Sequence, residues 1–173
     1  MPVRTRQRGF TLIEMVIVII ILAILAAGAG YGLQSGARAF NSSASVIHTL
    51  SKLRLAGERM AREIREIRRD PVTPAQYDIG TMTAAALAFT KSDGTVVTLT
   101  SAAPLVTLAY DSPAGARTLT NAVNSLAFAY YQSDGATAAT GTADIAFVEF
   151  ELVLTLDGNL YPQRTRVALR NQP

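Results

Sequence analysis

The chain of 173 residues contains no cysteine and only one histidine. Without cysteine it can form no disulfide, no thiolate metal site and no cysteine nucleophile. The single histidine, His48, cannot supply the set of ligands that a zinc site needs, so we expect no metal. The chain also lacks a P-loop, a dinucleotide-binding glycine pattern and a G-x-S-x-G sequence. We therefore expect a protein that is not an enzyme and that uses no cofactor.

An excess of positive charge is missing from most of the chain. Arg4, Arg6 and Arg8 precede Gly9, and without these three the 16 Lys and Arg fall to 13, equal to the 13 Asp and Glu. The pI of about 9.5 therefore comes from the N-terminal residues, which argues against a nucleic-acid partner. A basic segment before an apolar run is typical of the cytoplasmic side of an inserted helix.

A long apolar run follows this basic segment. No residue from Met15 to Ala37 carries a charge, and as a helix this stretch would span about 34 Å, enough to cross the hydrocarbon core. Glu14 stands at its start, where an ionisable side chain in lipid costs roughly 2.5–3.5 kcal/mol. A secretory signal peptide cleaved near Ala27-Gly28-Ala29 does not explain this residue, since a charge weakens the apolar region. A plain single-pass anchor explains the length but leaves Glu14 without a partner.

A third interpretation rests on the segment Arg8-Gly9-Phe10-Thr11-Leu12-Ile13-Glu14. It resembles the processing motif of type IV pilins and of the pseudopilins of type II secretion, and the match extends from Gly9 to about Ala26. The resemblance implies cleavage between Gly9 and Phe10 by a membrane prepilin peptidase, and N-methylation of the new N-terminal Phe10. Glu14 would then be the fifth residue of the mature chain, as in that family.

A carboxylate in lipid is tolerated when an opposite charge meets it, and the new α-amino group of Phe10 is such a charge. Glu14 lies one helical turn from Phe10 and can pair with its own terminus or with that of the next subunit. The resemblance implies the second arrangement, which would guide assembly.

Gly28, Gly32 and Gly36 share one helix face and predict either close helix packing or a loosened helix.

The helical period continues beyond the apolar run. Seven positions spaced alternately four and three apart form one apolar stripe: Val46, Leu50, Leu53, Gly57, Met60, Ile64 and Ile67. Pro71 ends helical geometry, so we predict one helix from about Thr11 to Arg69. Its stripe suits packing on a sheet better than a short coiled coil. Three i,i+4 pairs are expected on its wet face: Glu58–Arg62, Arg59–Glu63 and Arg62–Glu66.

The second half of the chain predicts antiparallel strands. Asp93-Gly94, Asp134-Gly135 and Asp157-Gly158 mark turns, and these aspartates together with Asp144 suit turns better than a calcium site. The segment IAFVEFELVLTL alternates in the manner of a half-buried strand. Arg164 or Arg166 is expected opposite Glu149 or Glu151.

These elements predict an α+β fold in which a long N-terminal helix, half membrane and half amphipathic, packs on an antiparallel β-sheet, as in pilins. We expect a leader over 1–9, a membrane and filament-core helix over 10–37, and a periplasmic globular domain over 38–173. The segment ARTLTNAVNSLAFAYYQSDG and the arginine-rich strand after it resemble the larger minor pseudopilins of the J type. The missing cysteine, and the absence of proline from Phe10 to Arg69, also favour a pseudopilin or minor pilin over a major pilin.

The function implied is that of a structural subunit of a type IV pilus or type II secretion pseudopilus, placed at or near the tip. Its partners would be the prepilin peptidase, other pilins or pseudopilins, the assembly platform of the bacterial inner membrane, and lipid before assembly. The alternative is a membrane-anchored periplasmic enzyme or binding module with an incidental anchor. DNA binding for uptake gains little support from the balanced charge after Gly9.

Overall fold

A computed structural model describes residues 11–169 of the chain. The predicted leader, 1–9, and both residues of the predicted cleavage pair, Gly9 and Phe10, lie outside this range. The described elements are one helix and eight strands, in this order: α1 (Leu12–Arg65), β1 (Ile79–Met82), β2 (Ala86–Thr90), β3 (Val96–Ala102), β4 (Leu105–Asp111), β5 (Ala114–Asn121), β6 (Val123–Tyr131), β7 (Phe147–Leu156) and β8 (Asn159–Ala168). Internal contacts divide the chain into two units, 1–45 and 46–173.

The described part of the first unit is the N-terminal portion of α1. Every side chain from 11 to 45 is exposed. By length and composition this helix is able to cross a membrane. Large apolar side chains dominate its surface: Leu12, Ile13 and Leu25, for example, are 84%, 68% and 62% exposed. A helix whose large apolar side chains are exposed in this way needs lipid or other protein around it.

The remainder of α1 belongs to the second unit and carries the predicted apolar stripe. Leu53, Gly57, Met60 and Ile64 are buried there. The helix ends at Arg65, four residues before the predicted end. The cause is the pairing of the next residues with segments that flank the strands, since Ile67 forms an isolated bridge with Lys91, just after β2, and Arg69 forms one with Tyr77, before β1. Backbone groups that bond to a sheet are not free to continue a helix.

The fold class was predicted correctly: α1 packs against antiparallel strands in an α+β arrangement. The strands form two sheets, β1-β2-β3-β4-β5 and β6-β7-β8, a division that the sequence did not indicate. Only Ala122 separates β5 from β6, and its φ of 59° turns the chain sharply at that point. The N–H of Val123 donates to the carbonyl of Pro104, and the N–H of Thr155 donates to the carbonyl of Ala122, at 3.0 and 2.8 Å. These bonds fix the corner where the sheets meet.

One apolar core lies between α1 and both sheets. Its fully buried large side chains come from all three layers: Met60 and Ile64 from α1, Leu87, Phe89, Val97, Leu99 and Val106 from the first sheet, and Val148, Phe150, Leu152 and Leu154 from the second. Full burial of such side chains stabilises the unit by about 1.5–3 kcal/mol each. The two sheets and the helix of residues 46–169 therefore share a single interior.

β7 is the central strand of the second sheet and follows its predicted alternation. Val148, Phe150, Leu152 and Leu154 are buried on one face. Its register places Glu149 opposite Arg166, and Glu151 opposite Arg164, on β8, as predicted. Arg166 Nε lies 2.9 Å from Glu149 Oε2, and its guanidinium stacks on the ring of Tyr131 at 4.5 Å.

Two of the three predicted Asp-Gly turns join neighbouring strands, and the third does not. Asp157 and Gly158, with φ of 50° and 79°, form a two-residue turn between β7 and β8, and the first Asp-Gly turn joins β2 to β3. Positive φ at both central positions is the geometry of a type I′ hairpin. Asp134-Gly135 leads only to an isolated bridge between Tyr131 and Ala138. It turns the chain locally and does not join two strands of the sheets.

Candidate functional site

Thr11 caps the start of α1. Thr11 Oγ1 accepts a hydrogen bond from the backbone N–H of Glu14 at 3.3 Å, and the carbonyl of Thr11 accepts one from Met15 at 3.2 Å. A threonine followed three residues later by glutamate is the spacing of a capping box, a signal that the sequence reasoning missed. The cap places Glu14 in the first turn, where the helix dipole favours a negative charge.

The carboxylate of Glu14 is available for a partner. Glu14 is exposed, and within residues 11–169 its side chain makes neither an ion pair nor a hydrogen bond. The backbone of Glu14 is thus bonded to Thr11, and its carboxylate oxygens have no partner within residues 11–169. This arrangement can bind a cation presented by another molecule or by the residues that precede Thr11.

The glycines of the apolar helix leave a shallow strip on its surface. Gly28, Gly32 and Gly36 recur at four-residue spacing, and a Cβ added at any of them would meet no atom within 4 Å. Nothing in the described chain fills the space that these glycines leave. A strip of this kind allows another helix backbone to approach closely.

A buried carboxylate lies on the other portion of α1. Glu63 is 2% exposed, so the expectation that the Arg59–Glu63 pair lies on the wet face was wrong. Arg59 Nη2 is 2.7 Å from Glu63 Oε1, and the hydroxyl of Tyr110 on β4 donates to the same oxygen at 2.8 Å. Lys91 Nζ lies 3.5 Å from Oε2. These contacts tie the helix to β4 and to the start of the β2–β3 turn.

The other two predicted ion pairs, Glu58–Arg62 and Arg62–Glu66, do not form within the described residues. Glu58 pairs with Arg54 at 2.9 Å, and Glu66 pairs with Lys91 at 2.7 Å, in place of the predicted bonds to Arg62. The hydrogen bond to Glu66 raises the pKa of Lys91, and burial raises the pKa of Tyr110. Lys91 is therefore a fixed positive charge and Tyr110 a neutral donor at neutral pH, which is the chemistry of a structural ion-pair cluster.

The loop aspartates act within turns. Asp144 accepts hydrogen bonds from the N–H groups of Thr140 and Gly141, at 3.0 and 2.9 Å, and Asp134 accepts from Ala136 and Thr137. The bond from Thr140 is the main cause that lowers the pKa of Asp144. Within residues 11–169 no group of three or more His, Asp or Glu side chains is placed to hold a metal ion, and His48 is exposed on α1.

Comparison with protein families gives one match. Residues 4–30 match the family described as the prokaryotic N-terminal methylation motif, a stretch that includes Gly9, Phe10, Glu14 and Gly28. No curated protein matches the chain. The motif supports a relation to type IV pilins and indicates a precursor of the pilin or pseudopilin type. Together with the exposed apolar helix, it indicates a chain anchored in a membrane.

Proposed function

We propose that this chain is a pilin-like structural subunit, assembled into a type IV pilus or a type II secretion pseudopilus. The observation that carries the proposal is the methylation motif over 4–30, continuous with an apolar helix whose side chains are all exposed from 11 to 45. A filament subunit needs such a helix twice, first in lipid and then in the filament core. The buried carboxylates of the second unit agree with a structural role, because Glu63 and Glu149 are paired with cations inside the fold.

The first step is processing at the N-terminus. The prepilin peptidase cuts between Gly9 and Phe10 and methylates the new α-amino group of Phe10. This removes the basic leader, 1–9, and creates one positive charge beside the apolar helix. Glu14 is then the only acidic side chain between Phe10 and Ala37, and its carboxylate has no partner within residues 11–169.

Pairing between subunits follows from the cost of a lone charge in lipid. An unpaired Glu14 in the membrane is unfavourable, and so is an unpaired terminus. When the Phe10 amino group of one subunit meets Glu14 of the next, both charges are neutralised and the helices are brought into register. Gly28, Gly32 and Gly36 then allow close contact between neighbouring helices.

The precursor resides in the bacterial inner membrane as a single-pass protein with residues 38–173 in the periplasm. The platform in that membrane extracts the subunit and adds it to other pilins or pseudopilins, giving a periplasmic or extracellular filament. We assign the chain to the minor subunits, of the J type or a related minor pilin, which start assembly at the tip. The absence of cysteine and the arginine-rich β8 support this assignment.

Mass spectrometry of the N-terminus of protein taken from its native membrane tests the proposal. The expected chain begins at N-methylated Phe10. A start near Gly28 or Gly30 would show ordinary secretion, and a chain that retains Met1 or Pro2 would show a simple anchor. Either result would remove the partner proposed for Glu14 and favour the alternative, an anchored periplasmic enzyme or binding module.

A further inference from the structure

Strand β5 (Ala114–Asn121) forms an edge of the five-stranded sheet. In the part of the chain that the structure describes, it pairs only with β4, and its register is regular from Ala114 to Thr118. Six of its eight residues are exposed. One row of its backbone N–H and C=O groups therefore faces outward, and such a row is able to pair with an added extended segment.

The other strand edges are protected, whereas β5 is not. β1 has four residues and an irregular register, and β8 carries Pro162, which cannot donate to a ladder. Beside β6, the N–H of Phe128 already donates to the carbonyl of Ala84. β5 contains no proline and only one charge, Arg117. Its one irregularity is the register shift beyond Thr118, so residues 114–118 lack the proline, the bulge and the short length that usually keep an edge from pairing.

A groove follows this edge along one face of α1. Lys52, Leu55 and Arg59, at helical spacing, face the side of the sheet where β5 lies. Two cavities border this edge, one of about 290 Å³ between Lys52, Leu55 and residues 118–121, and one of about 310 Å³ between Arg59, Lys91 and Arg117. Lys52 Nζ donates to Asn121 Oδ1 at 3.1 Å, which holds helix and edge side by side.

The groove is positive and partly apolar. Within residues 11–169, Lys52 and Arg117 have no carboxylate partner, and Asp93 is the one acidic residue that lines either cavity. Arg59 and Lys91 are paired with Glu63 and Glu66. Leu55, which lines the same cavity as Lys52, is 67% exposed. Two cations, Lys52 and Arg117, therefore remain for a ligand.

We propose that the β5 edge and the Lys52–Leu55–Arg59 face of α1 form a docking groove for an extended acidic segment of another protein. The segment adds to the sheet as a sixth strand, with its carboxylates towards Lys52 and Arg117. The one acidic-apolar alternation of this chain, Glu149 to Glu151, lies in the central strand β7 and is already paired. The occupant is therefore a different chain. The inference does not depend on N-terminal processing.

The test measures the binding of three eight-residue peptides to the full chain in detergent micelles. The probe is a capped (Val-Glu)₄ peptide, which offers carboxylates and a complete set of amide donors. The same peptide N-methylated at every residue keeps the carboxylates but has no backbone donors, and capped (Val-Lys)₄ reverses the charge. We expect (Val-Glu)₄ alone to bind at millimolar concentration and to shift the amide signals of residues 114–118 in NMR spectra.

Variants of the protein test which positive side chains contribute to peptide binding. K52Q and R117Q are each expected to weaken (Val-Glu)₄ binding about three- to fivefold, the effect of one exposed ion pair. The matched control is R54Q, which removes the same charge from the same helix outside the groove. No binding of (Val-Glu)₄, equal binding of the N-methylated peptide, or equal affinities for R117Q and R54Q would each overturn the inference. A chain that self-associates through residues 114–118 would overturn the assignment to a different partner.

Discussion

Arg59 and Glu63 lie one turn apart on α1, with Arg59 Nη2 2.7 Å from Glu63 Oε1, yet the two side chains are 44% and 3% exposed. The pair reaches from solvent into the interior, where Tyr110 donates to the same carboxylate oxygen. A carboxylate this deep depends on its donors, because charge without partners is strongly disfavoured in a protein interior. Glu63 is thus part of the packing between α1 and the first sheet.

Replacing Glu63 tests this role. We expect E63A to lower the free energy of unfolding by about 2 kcal/mol, since Tyr110 loses its acceptor and Arg59 and Lys91 lose a buried partner. E58A removes an exposed carboxylate from the same helix and should change stability by less than about 0.5 kcal/mol. Urea unfolding of the full chain in detergent measures both values. Similar effects of the two substitutions would contradict the structural role of Glu63.

Arg166 and Arg164 offer a second matched comparison. Arg166 bonds to Glu149 through Nε, bonds to the carbonyl of Gly135 at 2.8 Å and stacks on Tyr131. Lysine cannot reproduce this planar arrangement, so R166K should destabilise the second sheet by about 1 kcal/mol. R164K, at a side chain that is 65% exposed, should have little effect. The measurement is the midpoint of urea unfolding, compared at an unchanged dependence of the unfolding free energy on urea. Equal shifts of the midpoint for R166K and R164K would argue against the stacked geometry.

Gly57 lies where α1 approaches β8. A Cβ there would be 2.7 Å from Gln163 Nε2, but that atom ends a flexible side chain that borders a cavity. We therefore expect G57A to be nearly neutral, because the gain in helix propensity, about 1 kcal/mol, offsets the displacement of Gln163. In a Q163A background the same change should stabilise the protein by about 1 kcal/mol. Thermal unfolding of the unsubstituted protein, G57A, Q163A and the double variant measures these effects. A loss of stability on adding G57A to Q163A would refute this account.

Acid should weaken the loop around Asp144. Its pKa is lowered, chiefly by the hydrogen bond from the N–H of Thr140, so the folded state binds its proton less readily than the unfolded chain does. The resulting stability is fully present above the ordinary aspartate pKa of about 3.9 and is lost as pH falls through the lower folded value. In the D144N protein, the free energy of unfolding should therefore fall less below pH 4 than it does in the unsubstituted protein. An unchanged pH dependence would show that Asp144 does not contribute.

The free carboxylate of Glu14 leads to a prediction on assembly. E14A should leave membrane insertion intact and cleavage largely intact, but it should abolish incorporation into filaments, because the neighbouring terminus loses its counter-charge. E58A serves again as the control and should be incorporated normally. Quantitative immunoblots of sheared filaments and of membranes separate the two steps. Normal incorporation of E14A would exclude the pairing mechanism while leaving the processing site untouched.

Local patterns predicted much of this fold. The stripe on α1, the alternation of β7 and the turn at Asp157-Gly158 could be recognised because each depends on neighbours within a few residues. The burial of Glu63 could not, since its partners Tyr110 and Lys91 are distant in sequence. The earlier end of α1 has the same origin, as Ile67 pairs with Lys91. Near the N-terminus, the Thr11 cap is also a local signal, since Thr11 and Glu14 are three residues apart.

The corner at Ala122 has a mechanical consequence. One residue joins β5 to β6, so a chain under tension has no slack loop that could extend before the sheets bear the load. The bonds from Val123 to Pro104 and from Thr155 to Ala122 cross the same corner and resist its opening. Force applied to one sheet is therefore passed directly to the other, and the two sheets must yield as one body.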